Sequence, residues 1–200
     1  MSRCKEALIN VGDLCCGNVL RVRAEKAELN YQFERAMDMQ MQHNHPDNTS
    51  LLSQTMMLWR KAVATVPGSV PDYVGLLDNL SSRLYTYHTQ SGNTDALAES
   101  IRLHREALAL RPQGHPDRAT SLDNLATTLN KEYNQSGDTD ALAESIQLQR
   151  EALALRPHGH PHRTHSLGNL AHALSTNYDQ SGGTDALVES ICLHLSLIHI

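Results

Sequence analysis

The stretch SGDTDALAESIQLQREALALRPHGHPHRTHSLGNL, Ser136 to Leu170, repeats SGNTDALAESIRLHREALALRPQGHPDRATSLDNL, Ser91 to Leu125, at a distance of 45 residues. Of the 35 aligned positions 27 are identical, and no gap is needed. A third copy opens at Ser181 as SGGTDALVESICLH and breaks off after His194. Self-similarity at a fixed period of roughly 20 to 50 residues marks a chain in which one supersecondary unit is stacked end to end. Such a chain presents an extended surface for holding something.

Each unit reads as two helices. In HPDRATSLDNLATTLNKEYNQSG, the residues Leu122, Leu125, Ala126, Leu129 and Tyr133 fall at i, i+3, i+4, i+7 and i+11, one stripe of a 3.6-residue period. Leu167, Leu170, Ala171, Leu174 and Tyr178 repeat it, and Leu77, Leu80, Ser81, Leu84 and His88 give a weaker version. Pro116 suits the first helical turn and Gly137 the exit. The second helix, TDALAESIQLQREALALR, is expected to be capped by Thr139 or Asp140 and stopped by Pro157. Arg150 and Arg156 complement its negative end, and Glu99 and Glu144 read as solvated acids near helix starts. Its apolar arc is wide, from Leu142, Ile146 and Leu153 round to Leu148, Ala152 and Leu155. That width predicts burial on two sides. Ser145 and Ala152 are small enough to let backbones approach closely.

Together these features predict an all-α fold, a right-handed α-solenoid of antiparallel helix pairs with a 45-residue repeat. The pattern resembles the tetratricopeptide repeat (TPR), with Ala126, Ser145, Ala152 and Pro157 standing at that family's small-residue and proline positions. Ser81, Ser100, Ala107 and Pro112 do the same one unit earlier. The HPD-x-x-x-x-LxNLA string is similar to the long-unit subclass found in kinesin light chains, and to fungal arrays that precede CHAT protease domains. In this phase residues 1–23 are an unassigned N-terminal segment and 24–70 a degenerate unit, whose first helix falls in Ala24 to Gln42. Units follow at 71–115 and 116–160, with a truncated one at 161–194. Residues 195–200, LSLIHI, depart abruptly from the repeat and match the in-frame translation of a sequencing-library transposase adaptor. We read them as a scar, with the natural protein expected to continue, and exclude them from the fold.

A formal net charge of −5 and 4% aromatic residues argue against a nucleic-acid partner, which needs clustered basic residues and stacking platforms. No stretch has the composition of a membrane span, and the charged start MSRCKEALINVGDLCC argues against a signal peptide. A cytoplasmic address is therefore expected. Cys4, Cys15, Cys16 and Cys192 fit neither a zinc spacing nor a disulfide framework. His158, His160, His162 and His165 invite a metal reading, yet only His160 belongs to the repeat, where a capping or turn role suffices. No nucleophile–base motif or phosphate-cradling glycine loop is present, so a non-catalytic protein without cofactor or metal is expected. Trp59 is expected to pack in the interior.

Asn79, Asn124 and Asn169 recur at one mid-helix position, where asparagine is a mediocre helix former. By the TPR resemblance this position lines a concave groove and hydrogen-bonds the backbone of a protein or peptide ligand. The flanking groove residues implied are Asp78, Asp123, Ser82, Thr127, His172, Tyr85 and Asn130. The resulting expectation is a protein- or peptide-binding scaffold, a fragment of a larger protein. Two alternatives stay open, the sensor array of a CHAT-domain, caspase-like protease, and a decayed or partial gene copy without activity.

Overall fold

The computed structural model describes residues 49–65 and 73–198. They form seven helices and, among the described residues, no strand: α1 Thr49–Thr65, α2 Tyr73–Ser91, α3 Thr94–Ala109, α4 Arg118–Ser136, α5 Thr139–Ala154, α6 Arg163–Ser181 and α7 Thr184–Ile198. The expected N-terminal segment, the helix at Ala24 to Gln42 and the last two residues lie outside the described residues. The chain divides into two compact units, Met1–Leu103 and His104–Ile200, with the division inside α3.

In the first unit α1 packs on α2, and Trp59 is fully buried in the interior, as its size and rarity suggest. Leu76, Leu77, Leu80 and Leu84 line the buried face of α2. His88 closes that stripe, buried, with Nδ1 at 2.9 Å from the Asn93 carbonyl. Ser100 of α3 donates to the Ser81 carbonyl of α2 at 2.8 Å.

The second unit shows why the repeat folds locally. Leu122, Leu125, Ala126 and Leu129 are all buried, so the predicted stripe of α4 is its core face. The helix ends where Gly137 turns left-handed (φ 75°) and its N–H meets the Tyr133 carbonyl at 2.7 Å. That turn shifts the expected cap of α5 by one residue. Asp138, neither Thr139 nor Asp140, is the N-cap, accepting from the amides of Asp140 at 3.0 Å and Ala141 at 3.4 Å. Asn93 does the same for Ala96 in α3 at 2.9 Å, whereas Gly183 stands there before α7 and has no side chain to offer.

Two further boundaries differ from expectation. Pro116 precedes α4, in a turn where His115 Nδ1 accepts from the Asp117 amide at 3.1 Å, and the helix starts at Arg118. His160 and His162 repeat this turn at 3.1 Å, the role expected for His160. The end of α5 falls at Ala154, short of Arg156, because the Arg156 amide turns to the Leu153 carbonyl at 3.1 Å.

Burial on two sides is realised in α5. It packs on α4 and on α6, and Leu142 and Ile146 join Leu170, Ala173 and Leu174 in one apolar cluster. At the helix crossing the Ser145 hydroxyl donates to the Ala126 carbonyl at 2.8 Å, and Ser190 of α7 to Ala171 of α6 at 2.9 Å. Successive second helices are also tied by ion pairs 39 residues apart: Arg60 to Glu99 in the first unit, Arg105 to Glu144 (2.7 Å) and Arg150 to Glu189 (2.6 Å) in the second. The glutamates therefore face a partner helix, which corrects their reading as purely solvated acids.

The apolar face of α7 departs from its copies. Ile146 is 7% exposed, and its counterpart Ile191 is 49% exposed. Val188 and Leu195 share that open face at 60% and 51%, while Leu187 and Leu193, expected there, are half-buried. Apolar surface open on one side weakens local stability. In hydrogen exchange the amides of α7 should therefore lose protection well before those of α5. Equal protection across α5 and α7 would show that something covers this face.

His104 is buried, and burial lowers its pKa from the ordinary 6.5 to about 4. The folded state thus holds it neutral, while the unfolded chain takes up a proton near pH 6.5. Its stability contribution is complete above about pH 6.5 and is lost as pH falls towards 4. Urea midpoints should drop across this window by more in the wild type than in His104→Gln, which installs the residue found at Gln149. Parallel pH profiles would refute the assignment.

Candidate functional site

All the candidate residues lie on the first helix of a pair. Asp78, Asn79, Ser82 and Tyr85 are on α2, Asp123, Asn124, Thr127 and Asn130 on α4, and Asn169 and His172 on α6. Burial separates them. On α4, Asn124 is half-buried and Thr127 exposed, with Lys131 continuing the line at i, i+3 and i+7. On α6 the line is Asn169, His172 and Thr176; on α2 it is Asn79, Ser82 and Thr86. Sequence reasoning missed Thr86, Lys131 and Thr176, although a helical period counted from each asparagine reaches them. It placed Tyr85 in the set, and the structure leaves that ring half-buried, one position off the line.

The threonine hydroxyls on these lines are committed to their own helices. Thr86 donates to the Ser82 carbonyl at 2.9 Å, Thr127 to Asp123 at 2.8 Å and Thr176 to His172 at 3.0 Å. The asparagine amides are less engaged. Among the described residues Asn79 and Asn124 have no side-chain hydrogen bond, and Asn169 Nδ2 has only a 3.4 Å approach to His165 Nδ1. Each amide can donate and accept at once, as a peptide backbone does.

Asp123 and Asn130 are buried instead. Asp123 Oδ2 accepts from Arg156 Nη1 and from the Ser166 hydroxyl at 3.2 Å, and Arg156 Nη1 also donates to Ser166 Oγ. Arg156 is itself buried, so it is no solvated complement to a helix end. The guanidinium stitches α4 and the start of α6 to the end of α5. One unit earlier, buried Arg111 likewise donates to Ser121 Oγ. Asp78 holds the matching position of α2 and is half-buried.

Among the described residues no three His, Cys, Asp or Glu side chains converge on a point that could hold a metal. Among the same residues no helix is long and apolar enough to cross a membrane.

Helices packed in adjacent pairs, with a second helix serving both its own partner and the next unit, make this the fold of TPR-like repeats. A crystal structure from Podosopora anserina, named for kinesin light chain and for its nearly identical TPR-like repeats, superposes with a TM-score of 0.57. Identity is 19%, over 84% of this chain and 75% of that one. A point variant carrying the same description gives 0.52 at 16% identity, over 93% and 100%. At such identities the likeness is one of fold. No protein-family model matches the sequence, and no curated protein matches it.

The buried node yields a test of what Asp123 does. Removing one partner of a buried ion pair strands the other charge and costs about 3–5 kcal/mol. Asp123→Ala should lower unfolding free energy in urea by that order, and adding Arg156→Met should recover a large part. If Asp123→Ala leaves stability intact, the carboxylate is not structural.

Proposed function

We propose that the chain is a non-catalytic scaffold that binds an extended peptide segment of a partner protein along the first helices of its pairs. One observation carries the reading: the amides of Asn79 and Asn124 stay unengaged on helix faces whose threonine hydroxyls are internally satisfied. An extended peptide offers unpaired N–H and C=O groups that such amides can meet. Ser82, Thr127 and His172 flank the asparagines as exposed neighbours. In this reading Asp123 and Asn130 shape the face from inside, Asp78 and Tyr85 border it, and the groove is the concave side that TPR-type stacking creates. The proposed units keep their boundaries at 71, 116 and 161. The proposed setting is the cytoplasm, with this chain as a piece of a longer array.

Peptides selected from a random display library against the chain supply the probe. Each amide–backbone contact contributes on the order of 1 kcal/mol. A double variant, Asn124→Ala with Asn169→Ala, should therefore bind a selected peptide about thirtyfold more weakly by calorimetry while melting like the wild type. Unchanged affinity would reject the groove assignment.

A further inference from the structure

Asn169 differs from its counterparts in what stands one helical turn before it. Asn124 follows Thr120 and Asn79 follows Gly75, whereas Asn169 follows His165, exposed on the same side of α6. The 3.4 Å approach of Asn169 Nδ2 to His165 Nδ1 has one chemical meaning. An amide nitrogen only donates, so Nδ1 must carry a lone pair, and the imidazole is neutral with its proton on Nε2. One Nδ2 hydrogen is then held by the ring. The other hydrogen and Oδ1 remain for the C=O and N–H of a bound backbone.

The imidazolium is a different partner. With both ring nitrogens protonated it can only donate, so it meets the amide through Oδ1 and the amide turns over. Asn169 then offers its NH2 group outward, and its acceptor faces the ring.

The charged groups on the helices packed against α6 are engaged elsewhere or distant in their helices. Asp123 of α4 and Arg156 of α5 are closed on each other and on Ser166. Arg118 of α4 holds Glu151 of α5, Glu144 of α5 holds Arg105, and Glu189 of α7 holds Arg150 of α5. His194 Nδ1 of α7 lies 2.9 Å from the Ser190 carbonyl. Lys131 and Glu132 belong to the last turns of α4, and Asp140 and Asp185 to the first turns of α5 and α7. On α6 itself Arg163 donates to the Arg156 carbonyl, and His158, His160 and His162 lie in the turn before it. His172, three residues beyond Asn169, is the other exposed imidazole of α6.

We propose, on the groove reading above, that His165 positions the Asn169 amide and makes peptide capture at α6 sensitive to pH. The neutral ring presents the amide for two-sided contact with a backbone, and the imidazolium turns it away. Bound peptide therefore favours the neutral ring, and affinity falls as pH drops through the range in which imidazole takes up a proton.

Two measurements test this. In the free chain the side-chain amide resonances of Asn169 should move between about pH 8 and about pH 5.5, in the wild type and in His172→Thr but far less in His165→Thr. Both substitutions install residues that the preceding copy carries, Thr120 and Thr127. By calorimetry a display-selected peptide with blocked ends and no Asp, Glu or His should bind the wild type about fivefold more weakly at the lower pH. His165→Thr should bind it equally at both. An Asn169 amide that ignores pH, or that titrates as fully in His165→Thr, overturns the proposal. So does a flat affinity profile while Asn169→Ala still weakens binding. Should Asn169→Ala have no effect at either pH, the proposal falls together with the groove assignment.

Discussion

A serine hydroxyl bonded to the backbone of the neighbouring helix sets the spacing on which each described pair depends. Ser100, Ser145 and Ser190 reach the carbonyls of residues 81, 126 and 171 at 2.8 to 2.9 Å. Those carbonyls already serve their own helices, so the hydroxyl uses a second lone pair in a buried place. A larger side chain would force the helices apart, and alanine would leave the contact unmade. The leucines beside each crossing then pack at a separation that the polar contact has defined.

Charge works at two depths. The arginine–glutamate pairs between successive second helices are partly exposed, and pairs of that kind contribute about 0.2–1 kcal/mol each. Their value lies in phase, since only a 39-residue offset joins them. The Asp123–Arg156–Ser166 node is buried, where desolvation consumes much of the attraction. It holds because Arg156 places both Nη1 hydrogens, one on the carboxylate and one on the hydroxyl, while that hydroxyl turns to the same carboxylate. Three helices meet there, with Asp123 Oδ1 and Arg156 Nε left buried and unbonded beside the satisfied contacts.

The leucine stripes and the glycine exits were readable in the sequence because they follow from a helical period and a left-handed turn. Caps and charged partners were not. Thr139, Asp140 and Asp138 are all plausible caps by residue type, and only the path out of Gly137 selects Asp138. Asp123 and Arg156 lie 33 residues apart, and no periodicity within one helix pairs them. The same blindness placed Asp123 and Asn130 among surface candidates. Asn79, Asn124 and Asn169 were legible as a recurring oddity, and the structure adds that each begins a partly exposed line along its helix.

The ion pairs have a direction. The copies with Glu99 and Arg105, and with Glu144 and Arg150, each carry a glutamate for the predecessor and an arginine for the successor, so such a forty-five-residue block brings both halves of a compatible joint. A block inserted in phase by recombination meets matching neighbours at either end, without any new interface having to arise. Array length is thereby freed from the chemistry of the joints. Genes built this way can gain or shed copies while the fold of the remainder persists.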